Sequence, residues 1–123
     1  MSTPADLAVE QRDDVVVARI EGEIDRSNAD DIADALFGAV PNMALGLVLD
    51  LSATTYIDSA GVHLLFGIAN RLRRRQQQLR AVVPDGAHIA RVLSVVALDR
   101  TVPLHPTVDG AVAGCHGQGE PAL

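Results

Sequence analysis

Leu45-Gly46-Leu47-Val48-Leu49-Asp50-Leu51, then Ser52-Ala53-Thr54-Thr55-Tyr56-Ile57-Asp58-Ser59-Ala60-Gly61, then the start of a helical pattern at Val62, is the stretch that decides the fold class. Its first part is a nearly unbroken apolar run of strand length, which suits a central strand covered on both faces. The last part begins a helix with Val62, Leu65, Phe66, Ala69 and Leu72 at i, i+3, i+4 and i+7 spacing, which marks a buried stripe. A buried strand feeding an amphipathic helix through a hydroxyl-rich loop is the unit of an α/β layer. The loop delivers its polar groups to a helix start, where unbonded N–H groups and the positive end of the dipole favour an oxyanion.

Working outward toward the N-terminus, Leu7 to Arg12 and Val15 to Ile20 read as two strands joined at Asp13-Asp14. Ser27 reads as an N-cap, with Ile32, Ala35, Leu36 and Ala39 behind it at helical spacing and Pro41 as the stop. Toward the C-terminus, the second helix closes in Arg71, Arg73, Arg74 and Arg75, cations suited to the carbonyl end of the dipole. Leu79 to Val83 is a strand stopped by Pro84-Asp85-Gly86. Ile89, Val92, Leu93 and Val96 set out a third helix, Thr101 to Leu104 a short edge strand, and Val108 to Ala113 a last helix. The order is β-β-α-β-α-β-α-β-α, an α/β domain with a largely parallel later half. One domain is expected over residues 1–113, with 114–123, rich in glycine, as a disordered tail.

At 123 residues there is room for one core and no second domain. The net charge of −6, from 16 acids against 10 bases, opposes binding to nucleic acid, which wants a coherent cationic face. Tyr56, Phe37 and Phe66 are the only aromatic residues, too few for base-stacking platforms or an aromatic cage. No apolar run approaches the ~20 residues of a membrane span. One cysteine, Cys115, cannot make an internal disulfide, and the first six residues lack the pattern of a secretory signal; a cytoplasmic address is the expectation.

Histidines 63, 88, 105 and 116 are scattered singly and form no metal-ligand pair, Cys115-His116 included. A serine nucleophile elbow wants Gly-x-Ser-x-Gly, whereas the sequence reads Ile57-Asp58-Ser59-Ala60-Gly61. At Asp58 and Ser59 two readings stand: a helix N-cap contributing ~1 kcal/mol to the fold, or a functional hydroxyl site. His63, Gly67, Asn70 and Arg74 fall on one face of the second helix away from the buried stripe, as a contact surface or as solvated surface. The arginines at 71 to 75, with Arg80, read as a solvated helix end or as a patch for an acidic surface.

The run Val48 to Ser52, then Tyr56-Ile57-Asp58-Ser59-Ala60-Gly61, with Glu21-Gly22-Glu23-Ile24-Asp25 some thirty residues earlier, resembles the STAS domain family of anti-sigma factor antagonists over about Leu7 to Ala113. The resemblance implies a four- or five-stranded mixed sheet packed against about four helices. It implies that Ser59 is phosphorylated by a partner anti-sigma factor, a serine protein kinase of ATPase fold, with Asp25 beside it, and that a phosphatase reverses the modification. Asp25, Asp58, Ser59, Ala60, Gly61, His63, Gly67 and Asn70 are the expected partner-binding residues. No catalytic residue, metal or cofactor is implied; the chain is a substrate and a binding partner, with a monomer as the simplest state. The sequence departs from the family's frequent Asp-Ser-Ser/Thr-Gly-Leu-Gly at Ala60, which leaves Ser59 as the single acceptor, and at Val62-His63, where a bulky side chain stands one turn into the helix. An alternative role with the same fold is a scaffold in a stress-signalling or transporter complex without phospho-switching.

Overall fold

The computed structural model describes residues 5–117. Strand β1, Asp6–Arg12, turns at Asp13, whose φ of 56° lies in the left-handed region, and pairs antiparallel with β2, Val15–Ile24. Helix α1, Ala29–Ala39, leads to β3, Gly46–Asp50, which lies parallel to the first half of β2. Strand β4, Thr54–Ile57, precedes α2, Ser59–Arg74, and β5, Gln78–Val82, then pairs parallel with β3. Helix α3, His88–Val95, a 3₁₀ turn at Leu98–Arg100, the edge strand β6, Leu104–His105, and α4, Val108–Cys115, complete the described chain.

The sheet order is β1-β2-β3-β5-β6, with β4 paired to β2. All five residues of β3 are buried, as its continuous apolar run implied, and strand alternation divides them between two layers. Leu47 and Leu49, with Val16, Ala18 and Ile20 of β2, face α1, α2 and α3 through Leu36, Leu65, Ile68, Leu72 and Leu93. Val48, with Val15, Val17 and Val82, faces Ala111 and Cys115 of α4 on the opposite side. The mixed α/β architecture with four helices is therefore the one the alternation of elements implied.

Four local readings are corrected. Thr54–Ile57, expected as loop, is the strand β4, because β2 changes partner halfway along its length. Gly22, at φ 109°, sits at a register shift in β2, its N–H donates to the Ala53 carbonyl at 3.1 Å, and beyond it Glu23 and Ile24 pair with Tyr56 and Ile57. Ser27 does not cap α1; it lies in the preceding turn, its hydroxyl donating to Asp25 Oδ1, while Asn28 occupies the cap position. The edge strand is Leu104–His105, because Leu98–Arg100 coils into the 3₁₀ turn just ahead of Thr101.

The fourth correction concerns the expected tail. Helix α4 runs through Cys115, with Gly114 and Cys115 buried, so the chain stays ordered past residue 113. His116 follows the helix, and its Nε2 lies 2.6 Å from Asp14 Oδ1 in the β1–β2 turn. Arg12 Nη2 donates to Asp109 Oδ1 at 2.9 Å, so both ends of α4 are tied to the same hairpin. Residues 118–123 of the expected tail lie outside the described residues.

Candidate functional site

The register shift at Gly22 builds the site. By carrying the last residues of β2 alongside β4, it sets Ile24-Asp25 next to Ile57-Asp58, so that two motifs over thirty residues apart in sequence meet at one end of the sheet. Thr54 anchors the strand from below, its buried hydroxyl donating to the Ile20 carbonyl at 2.8 Å. Asp58 then breaks the strand. Its N–H donates to the Ile24 carbonyl at 3.3 Å, and its carboxylate caps α2 by accepting the Gly61 N–H at 3.0 Å.

The second carboxylate oxygen of Asp58 accepts the Arg26 N–H at 3.3 Å, which clasps the β2–α1 loop to the start of α2. In that loop the Asp25 carboxylate is itself turned inward, accepting the N–H of Ser27 at 2.9 Å and the Ser27 hydroxyl. Asn28 closes the turn by accepting the Asp25 N–H at 3.0 Å and donating to the Glu23 carbonyl at 2.8 Å. Asp25 and Asp58 thus hold two adjoining loops in shape, and the N-cap reading of Asp58 is the one the geometry bears out. Ser59, the first residue of α2, remains exposed.

Ala60 is half-buried and Gly61 is buried. A Cβ at Gly61 would stand 2.5 Å from Ile57 Cγ1 and 3.0 Å from Ile24 Cγ2, closer than packed atoms allow. Gly61, expected among the partner-binding residues, lets the first turn of α2 rest on the ends of β2 and β4. His63, Asn70 and Arg74 are exposed, and a Cβ at Gly67 would meet nothing within 4 Å, so that face of α2 is open as the helical spacing implied.

The buried stripe of α2 is rotated from its expected position. Leu64, Leu65, Ile68, Ala69 and Leu72 are buried, whereas Val62 and Phe66 are only half-buried. Together with Ile57, with Val92 of α3 and with Val96 just past its end, Val62 and Phe66 line a groove of about 470 Å³ that also takes in Asp58, Ser59 and His63. This apolar groove beside the serine was missed at the sequence level. The signal was there in two helices each carrying one apolar residue pair too many for a single buried stripe.

The arginine run does not form one patch. Arg71 and Arg75 lie over the Phe37 ring, 3.8 and 4.8 Å from its centroid, and Arg75 also donates to the Val40 carbonyl and to Asn42 Oδ1. Arg80 is buried on the far face of the sheet, where its Nε donates to Gln78 Oε1 at 3.0 Å beneath α4. Arg71, Arg73 and Arg74 are exposed, and Arg75 is half-buried. Cys115 is buried on the sheet-facing side of α4, and His116 is bound to Asp14. Among the described residues, no helix is long and apolar enough to cross a membrane.

The sheet is mixed with a parallel centre and helices on both faces, and a serine opens the helix that follows β4. The profile of the STAS domain matches residues 6–111, and the chain belongs to that family. It is 31% identical over 119 residues to the anti-sigma-F factor antagonist RsfB of Mycobacterium tuberculosis, spanning 95% of this chain and 96% of that protein. It is 30% identical to the putative anti-sigma factor antagonist BtrV of Bordetella bronchiseptica, over 87% of this chain and 91% of that one. The crystal structure of an anti-sigma factor antagonist from Mycobacterium paratuberculosis superposes with a TM-score of 0.81 at 30% identity, covering 94% of this chain and 99% of that chain.

Proposed function

We propose that this protein is an anti-sigma factor antagonist that works by partner switching. In its unmodified form it binds an anti-sigma factor, a serine protein kinase of ATPase fold, and so frees a sigma factor for transcription. Phosphorylation of Ser59 releases the complex, and a phosphatase restores the binding form. The observation that carries the reading is the exposed Ser59 at the first position of α2, on the margin of an apolar groove and beside a fully engaged Asp58. The names of the relatives of matching length support the same role.

In the transfer, a bond forms between Ser59 Oγ and the γ-phosphorus of ATP, the bond to the bridging oxygen breaks to leave ADP, and the hydroxyl proton goes to a base of the kinase. Asp58 has both carboxylate oxygens bonded to backbone N–H groups, which fits a chain that is the acceptor and not the catalyst. The added phosphate brings ~1.5–2 negative charges to a helix start that compensates only ~0.3–1 kcal/mol of their cost. A partner that covered it would have to desolvate that charge at a cost of several kcal/mol. The fold tolerates the group and the interface does not. Asp25 and Asp58 shape the surface, Ser59 switches it, and Ala60, His63, Gly67 and Asn70 are the contact candidates around it.

A pull-down from a lysate of the host species, with wild-type and Ser59→Glu proteins as baits, tests the reading. Retention of an ATPase-fold kinase by wild type and its loss with Ser59→Glu is the expected outcome. Equal retention by both would remove Ser59 as the control and leave the scaffold role, and retention of no such kinase by either would overturn the antagonist role.

A further inference from the structure

His63 lies four residues after Ser59 on α2, on the same side of the helix, and both residues line the groove between α2 and α3. Side chains at that spacing have their Cβ atoms ~5–6 Å apart, a gap that a phosphoserine and an imidazole bridge without moving the backbone. His63 also lines a second, smaller cleft with Arg26, Asp30 and Ala60, so it stands between the two. It is exposed.

From these positions we propose that His63 is the internal counter-ion of a phosphate on Ser59. The inference rests on the reading of Ser59 as the phosphoacceptor and adds a regulatory property to it. The imidazolium donates to a phosphate oxygen across one turn of α2, so the modified state is paired within its own helix and turned along the groove margin. Charge-assisted bonds to phosphate are the strong class of hydrogen bond, and imidazole is the side chain whose charge changes between about pH 5 and 8. The phosphorylated state of this chain therefore carries a pH dependence that a glycine or leucine at position 63 could not give.

The charged groups around His63 set the balance. On its own helix start Asp58 is held by the Gly61 and Arg26 N–H groups. Across the smaller cleft stand Arg26, a second cation for the phosphate, and Asp30, a competitor for the imidazolium. From α3 and the residue that follows it the groove receives Val92 and Val96, which bring no charge and lower the local dielectric.

The test uses full-length protein with phosphoserine installed at position 59 by genetic encoding, so that no kinase is needed, and follows the ³¹P resonance through a pH titration. The second ionisation of a phosphoserine falls near pH 6, and the wild-type midpoint is expected to lie about 0.5 unit below that of His63→Gln. His63→Lys, which keeps the cation, is expected to hold the midpoint at or below the wild-type value. Coincident midpoints for wild type and His63→Gln would overturn the proposal, as would a His63→Lys midpoint matching His63→Gln. Because the phosphate is installed directly, failure of Ser59 as a switch in the pull-down and failure of His63 as its counter-ion are separate results.

Discussion

Asp58 and Gly61 divide the work at the start of α2, the one capping the helix and the other letting it dock. Replacing Asp58 with Ala removes the acceptor for the Gly61 N–H and the clasp to Arg26, and is expected to cost about 1 kcal/mol or somewhat more in urea denaturation. Gly61→Ala places a methyl group against Ile57 and Ile24 and is expected to cost about 1–3 kcal/mol by overpacking. Ser59→Ala, at an exposed position one residue from that cap, is expected to leave stability within about 0.5 kcal/mol of wild type. A large loss of stability in Ser59→Ala would mean that the hydroxyl serves the fold. At this scale the sequence was informative about chemistry and silent about burial: the Asp-Ser pair was legible as a helix start, while the inward turn of Gly61 depends on Ile24, which only the folded sheet brings near.

Among the elements, β2 and α4 carry the features that position and close the domain. Gly22 is the point where β2 leaves β3 and takes up β4, and its φ of 109° is one that side chains with a Cβ rarely adopt. Gly22→Ala is expected to destabilise by about 1–3 kcal/mol and to loosen the site end of the sheet, seen as faster amide exchange at Tyr56 and Ile57. The apolar runs of β2, β3 and β5 were legible because each is buried on both faces. Strand β4, four residues long with exposed Thr55 and Tyr56, gave no such signal, and its pairing comes from the bend in β2.

The tie between α4 and the β1–β2 turn gives a pH dependence at the same scale. The hydrogen bond that His116 donates to Asp14, with a second to the Val112 carbonyl, holds the imidazole above its ordinary value of 6.5. Its contribution is therefore full below pH 6.5 and lost as pH rises through the raised value in the folded state. The same bond from His116 holds the Asp14 carboxyl below its ordinary value of 3.8, so that contribution is present above pH 3.8 and lost as pH falls through the lowered value. The stability difference between wild type and Asp14→Asn is expected to be largest between these limits and to shrink on the alkaline side. A difference that grows from pH 6 to pH 9 would contradict the pairing.

For the whole molecule, the layered arrangement leaves one end of the sheet, where β2, β4 and α2 meet, as the place where an exposed hydroxyl, an apolar groove and two structural carboxylates coincide. The architecture was legible from the alternation of strands and helices, and the site from its two motifs. The groove was not, because it depends on how far α3 stands from α2, a packing distance that no local pattern encodes. The measurement that bears most directly on the central claim is the affinity of the unmodified and the Ser59-phosphorylated protein for the captured kinase, titrated at fixed pH and salt. Partner switching predicts that phosphorylation weakens binding by tenfold or more, about 1.4 kcal/mol or greater. Equal affinity of the two forms would contradict it.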